Sequence, residues 1–223
     1  MAPRTGVIFD IDGTLVDPTY LHTAAWRRAF LDHGLDILTA DIHRHIGMGS
    51  GLLLERLAGT TRDDLKDAWR KHFEALKPEI RALPGAPDLL RAVAESGAAV
   101  VLASSSEEDD VEDLLDALDV GDIVDVVTSS GDVEEAKPDP EVFEVAMAKA
   151  GLEAGRAIVV GDTVWDVEAA ARCGLPCVGV LTGGISDGEL RQAGAVAVYR
   201  GARDLLDDLR AGPLGPFLGA TTP

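Results

Sequence analysis

Short apolar, β-prone runs, each followed by a helical pattern, recur along most of this chain and leave few folds open to it. VIF at 7–9, AAVVLA at 98–103, IVDVVT at 123–128, AIVV at 157–160, CVGVL at 177–181 and AVAVY at 195–199 read as strands. Amphipathic patterns at 86–96, 107–118, 140–150, 164–173, 187–193 and 202–210 read as helices. Unbroken apolar runs suit strands covered on both faces, and strands joined through helical crossovers pair in parallel. The expected fold is α/β, with a Rossmann-like parallel sheet flanked by helices.

One segment breaks the alternation. From about residue 20 to 76 every pattern is helical, with Thr39 or Asp41 and Thr60 or Thr61 as candidate N-caps and glycines at 34, 47 and 59 as stops. This reads as a helical insert bounded by Pro18 and by the Pro/Gly pieces at 77–78 and 83–85. The expected division is a core of residues 1–17 and 82–223 with an inserted helical domain at 18–81. The Pro/Gly-rich end, GPLGPFLGATTP at 212–223, is expected to fray.

Composition narrows the partners. The chain has 223 residues, 46% of them hydrophobic, enough for a sizeable core. A net charge of −19 argues against nucleic acid or an anionic membrane surface, which need a basic face. Its cysteines, Cys173 and Cys177, lack the spacing of a zinc site, and no stretch approaches a membrane span. The first strand begins with no apolar signal core before it, so a cytoplasmic setting is expected.

Residues 6–17, GVIFDIDGTLVD, hold the first candidate chemistry. The strand delivers Asp10 to its C-terminal end; Asp12, two residues on, shares its face, and Gly13 lets the backbone turn away. Paired carboxylates at such a place suit a hard divalent cation such as Mg²⁺; an ordinary Asp/Gly turn is the plainer reading. Three further polar groups follow strands. Ser104-Ser105-Ser106 could hold phosphate oxygens or simply cap a helix, Ser106 forming a capping box with Asp109. Lys137, ahead of Pro138 and Pro140, could neutralise a phosphoryl group or be solvated. Asp162 and Asp166, a helical turn apart, can face one cation.

These four pieces stand in the order and approximate spacing of the haloacid dehalogenase superfamily, which the chain resembles along nearly its whole length. The insert resembles the helical cap of phosphoglycolate phosphatases and β-phosphoglucomutases, and His22 and Trp26 match a pattern common in that subgroup. The resemblance implies that Asp10 is the nucleophile, forming an aspartyl-phosphate, and Asp12 the general acid and base. It implies Mg²⁺ held by Asp10, the Asp12 carbonyl and Asp162, with Asp166 bound directly or through water. Ser104, Ser105 and Lys137 would bind the phosphoryl group, and His22 and Ser50 are candidate substrate contacts.

The expected activity is phosphatase action on a small phosphorylated metabolite, phosphoglycolate- or sugar-phosphate-like, by a monomer or homodimer. A phosphomutase is the first alternative, weakened because the loop at 45–51 offers Ser50 and glycines where mutases of this type carry a basic residue. A phospho-accepting signalling module is the more distant one.

Overall fold

The computed structural model describes residues 4–219. Six parallel strands form one sheet: β1 (Gly6–Phe9), β2 (Ala99–Ala103), β3 (Val126–Thr128), β4 (Ala157–Gly161), β5 (Cys177–Val180) and β6 (Ala197–Tyr199). Their order is β3-β2-β1-β4-β5-β6. The chain winds outward from β1 to one edge, returns, and winds from β4 to the other. The reversal leaves a crevice between the C-terminal ends of β1 and β4, where open α/β sheets bind ligands.

Alternation across β1 explains its unbroken apolar sequence. Val7 and Phe9 enter one core with α5 (Ala86–Glu95), α6 (Glu108–Leu118) and α10 (Ala202–Asp207), through Leu90, Val93, Leu114 and Leu205. Ile8 points the other way, to Phe143 of α7 (Glu141–Ala150), Val167 of α8 (Val164–Arg172) and Leu190 of α9 (Asp187–Ala193). Val7, Ile8 and Phe9 are wholly buried, each worth about 1.5–3 kcal/mol relative to exposure.

Between β1 and α5 lie four further helices: α1 (Thr19–Asp32), α2 (Thr39–Arg44), α3 (Ser50–Ala58) and α4 (Asp63–Glu74). They bury an apolar cluster of their own, with Trp26, Phe30, Ile42, Met48, Leu54 and Leu65. The two connections to the sheet run side by side. Val16 and Ala82 form an antiparallel bridge, the Asp17 N–H donates to the Arg81 carbonyl at 3.0 Å, and the Leu83 N–H to Leu15 at 2.8 Å.

Some local expectations gave way to tertiary packing. The Ser106–Asp109 capping box does not form: α6 begins at Glu108, its N-cap is Glu107 with no side-chain bond, and Ser106 turns toward Asp12. The caps of α2, α3 and α4 are Leu38, Gly49 and Arg62, none with a side-chain cap. Near the C-terminus Leu214 and Leu218 are buried against the sheet's first core, around a short 3₁₀ turn at Gly215–Phe217. Up to residue 219 the tail is therefore packed; residues 220–223, part of the expected frayed end, lie outside the described residues.

Candidate active site

Sheet register sets the first two carboxylates. Phe9 pairs with Val160, so Asp10 and Asp162 leave adjacent strand ends at the crevice, and the Asp10 N–H donates to the Val160 carbonyl at 2.9 Å. Asp166 sits in the first turn of α8. There the Thr163 N–H and hydroxyl donate to its Oδ2, at 3.0 and 2.6 Å, while its own N–H donates to Thr163 Oγ1 at 3.2 Å. This reciprocal cap fixes one carboxylate oxygen and leaves the other turned inward.

Each of Asp10, Asp162 and Asp166 offers an oxygen within 4.8 Å of the others, and all three are buried. Lys137, 1% exposed, reaches in from the loop after β3. Its Nζ lies 2.5 Å from Asp10 Oδ1 and 2.8 Å from Asp166 Oδ1, and donates to the Ala103 carbonyl at 3.3 Å. One ammonium among these carboxylates leaves surplus negative charge. Asp162 Oδ1 accepts a bond from Thr14 Oγ1 at 3.0 Å, but its Oδ2 is buried without a partner. A hard divalent cation with oxygen ligands fits this donor set and the unpaired oxygen.

The electrostatics carry the same signature. Burial pushes Asp10 up to about 7, against the pull of Lys137 and with Asp166 and Asp12 adding to the rise. Burial also raises Asp162 well above the usual carboxylate range, helped by the charges of Asp10 and Asp166. Lys137 is raised despite its burial, because Asp10 and Asp166 stabilise the ammonium.

Asp12 lives in a different environment. Burial alone would raise it, yet His22, Ser106 and Ser104 together hold it below the ordinary range. His22 Nε2 is 3.5 Å from Asp12 Oδ1, while Ser106 and Ser104 donate to Oδ2 at 2.9 and 3.2 Å. The Asp12 side chain is thus outside the three-carboxylate cluster.

His22, on α1, is itself 8% exposed and stacks on Phe73 with ring centres 4.0 Å apart. Ser105 donates instead to the Gly47 carbonyl at 3.4 Å. Ser50 opens α3 at the margin of a cavity of about 390 Å³, whose floor holds Asp10, Asp12, Asp162 and Asp166 and whose roof includes Trp26 and Trp69. Glycines bring the roof loop down: a Cβ on Gly49 would stand 2.6 Å from that of Ala136, and one on Gly47 3.1 Å from Thr163 Cγ2.

The structure therefore brings Asp10, Asp162, Asp166 and Lys137 together, with Asp12, Ser104 and His22 immediately beside them. Sequence reasoning gave no site role to Thr14, Thr163 or Trp69, and it read Ser106 as a phosphate contact or a helix cap rather than as a partner of Asp12. The Ser104-x-Ser106 spacing held a usable signal, because residues two apart in extended chain share a side. Trp69 gave none, since an apolar residue on an amphipathic helix reads as core.

A doubly wound sheet with clustered carboxylates at its switch point and a helical insert above them defines a ligand-binding α/β architecture. The model of the haloacid dehalogenase-like hydrolases matches residues 5–174, and the chain belongs to that family. Phosphoglycolate phosphatase of Rhodospirillum rubrum is 33% identical, the alignment covering 96% of this chain and 95% of that one. Phosphoglycolate phosphatase of Pseudomonas putida is 31% identical over 96% of this chain and 82% of that one. The crystal structure of a hydrolase from Pseudomonas syringae superimposes with a TM-score of 0.88 at 37% identity, covering 94% of this chain and 99% of that one. Membership of a hydrolase family along most of the chain removes the signalling-module alternative. No helix among the described residues is long and apolar enough to cross a membrane.

Proposed function

We propose that this protein is a Mg²⁺-dependent phosphatase acting on small phosphorylated metabolites of the phosphoglycolate or sugar-phosphate kind. The observation that carries the reading is the convergence of Asp10, Asp162 and Asp166, with Lys137 2.5 Å from Asp10, on the floor of a cavity of about 390 Å³. The names of the two bacterial phosphatases support it.

In this reading an Asp10 carboxylate oxygen attacks phosphorus and the ester P–O bond breaks, giving an aspartyl-phosphate. Asp12 gives its proton to the departing alkoxide. Water then attacks phosphorus, Asp12 takes the water proton, and inorganic phosphate leaves with Asp10 restored. Bonds from His22, Ser104 and Ser106 favour ionised Asp12 in the substrate-free site; the arriving phosphate dianion raises its proton affinity, so the proton is taken up with substrate. Lys137 restrains Asp10 and offsets phosphoryl charge. Mg²⁺, held by Asp10, Asp162, Asp166 and the Asp12 carbonyl, would supply charge neutralisation between nucleophile and substrate. Ser104 and Ser105 would reorient toward the phosphoryl oxygens.

We assign residues 18–81 as a cap that excludes water and reads the leaving group, and residues 1–17 and 82–223 as the catalytic core. The free thiols Cys173 and Cys177 support a reducing, cytoplasmic setting.

Steady-state phosphate release by Asp10→Asn tests the assignment. The variant should lose turnover while keeping its fold by circular dichroism; activity near that of the parent refutes Asp10 as nucleophile. Release of stoichiometric phosphate from glucose phosphates, rather than isomerised sugar phosphate, separates phosphatase from mutase.

A further inference from the structure

Resting on the phosphatase reading, and narrowing its substrate range to the sugar-phosphate side and away from phosphoglycolate, we propose that the site selects phosphomonoesters whose alcohol portion is neutral or bears an amine, and rejects those carrying a second anion. The charge lining the cavity is the basis. Glu55 of α3 and Glu134 and Glu135 of the loop after β3 line it, and all three are exposed. None of their carboxylates meets a cation among the described residues; at Glu134 and Glu135 it is the backbone N–H groups that are engaged, with Glu141.

No lysine or arginine lines the cavity among the described residues. Three cations of neighbouring elements are committed elsewhere. Lys137 is held by Asp10 and Asp166, Arg70 lies 2.7 Å from Glu107, and Lys77 lies 2.7 Å from Asp110 and 2.9 Å from Asp113. Two histidines line the space. His22 faces Asp12, and His45 Nδ1 is 2.7 Å from the Asp41 carbonyl, to which it donates.

The floor can therefore receive one phosphoryl group, while no lysine or arginine side chain among the described residues lines the upper wall to compensate another anion. A carboxylate or second phosphate on the leaving group would be brought against unpaired glutamates, a repulsive discrimination rather than a missing attraction. Hydroxyls and ammonium groups find acceptors there, strong ones in the charged case. Trp26 and Trp69, stacked on each other, contribute apolar lining. In a water-filled mouth each carboxylate a few ångströms away lowers affinity for an anion roughly two- to fivefold, so three together set an expected gap of about tenfold or more.

The test measures kcat/KM with Mg²⁺ in two matched series. The two-carbon series is O-phosphoethanolamine, 2-hydroxyethyl phosphate and 2-phosphoglycolate. The hexose series is glucosamine 6-phosphate, glucose 6-phosphate and 6-phosphogluconate, with p-nitrophenyl phosphate as an aryl control. Within each series the amine and neutral esters should exceed the carboxylate ester by about tenfold or more, with the gap narrowing as salt is raised. Combined Glu55→Gln, Glu134→Gln and Glu135→Gln should narrow it about fivefold or more, and each single change about twofold.

A preference for the carboxylate ester, a gap that survives the substitutions, or hydrolysis of the aryl ester alone overturns the inference and leaves the phosphatase reading standing. Failure to hydrolyse any ester, the aryl one included, overturns both.

Discussion

Replacing Gly183 by alanine tests whether Asp162 is a metal ligand without touching a carboxylate. A Cβ at 183 would overlap Asp162 Oδ2 and stand 2.6 Å from its Cγ. Carbon atoms pack at about 3.5–4.0 Å, so one group must move by roughly an ångström. Asp162 has no room to yield. A Cβ at Gly13, where φ is +84°, would likewise stand 2.8 Å from the same Cγ, and Thr14 holds Oδ1 at 3.0 Å. If the Leu181–Gly183 turn lifts instead, Thr182 loses its bond to the Gly13 carbonyl at 2.5 Å, and the turn that follows Asp12 is disturbed.

Overpacking of this kind costs about 1–3 kcal/mol. At about 2–4 °C per kcal/mol for a chain of this size, Tm should fall by about 2–12 °C. A displaced ligand should raise the half-saturating Mg²⁺ concentration about 100-fold or more, the upper end of what supporting residues alone contribute. The assay is phosphate release against Mg²⁺ concentration, paired with melting curves with and without the ion. Gly188→Ala is the control, since a Cβ there meets nothing within 4 Å. A Gly183→Ala protein with parental Mg²⁺ dependence and unchanged Tm would refute the role given to Asp162.

Two further outcomes follow from the titrating groups. Ser106→Ala removes a donor 2.9 Å from Asp12 Oδ2. The Asp12 carboxyl, held below its ordinary range partly by that bond, should rise. The basic limb of the kcat/KM profile, where Asp12 must hold the proton it gives to the leaving group, should move to higher pH; an unmoved limb excludes Asp12 as that acid. Burial pushes the Cys173 thiol up to about 12 and Cys177 well above its ordinary value. At pH 8 the Cys173 thiolate fraction is then about 10⁻⁴, against roughly a quarter for a free cysteine. Both thiols of the native protein should resist a disulfide reagent for hours and react within minutes once unfolded; rapid native labelling would contradict the burial assigned to them.

Patterns confined to a few neighbouring residues were legible in the sequence. Each strand of the sheet was visible as an apolar run, and Asp10, Ser104, Lys137 and Asp162 were recognisable because each follows a strand. The strand order, and with it the pairing of Asp10 with Asp162 across the switch point, depends on how the crossovers turn, which no short window encodes. Ser106 shows the competition plainly. Its spacing to Asp109 satisfies a local capping rule, but the carboxylate of Asp12, some ninety positions earlier, takes the hydroxyl instead. Leu214 and Leu218 lay hidden among prolines and glycines, because a sparse apolar pair has no period and reveals itself only against the sheet's core.

The paired connections at residues 15–17 and 81–83 give the molecule an evolutionary seam. Both connections of the insert leave the sheet side by side, so the material beyond them can lengthen, shrink or be exchanged while the catalytic floor keeps its register. Descendants of such a chain can diversify in diet without reinventing how they break a phosphate ester.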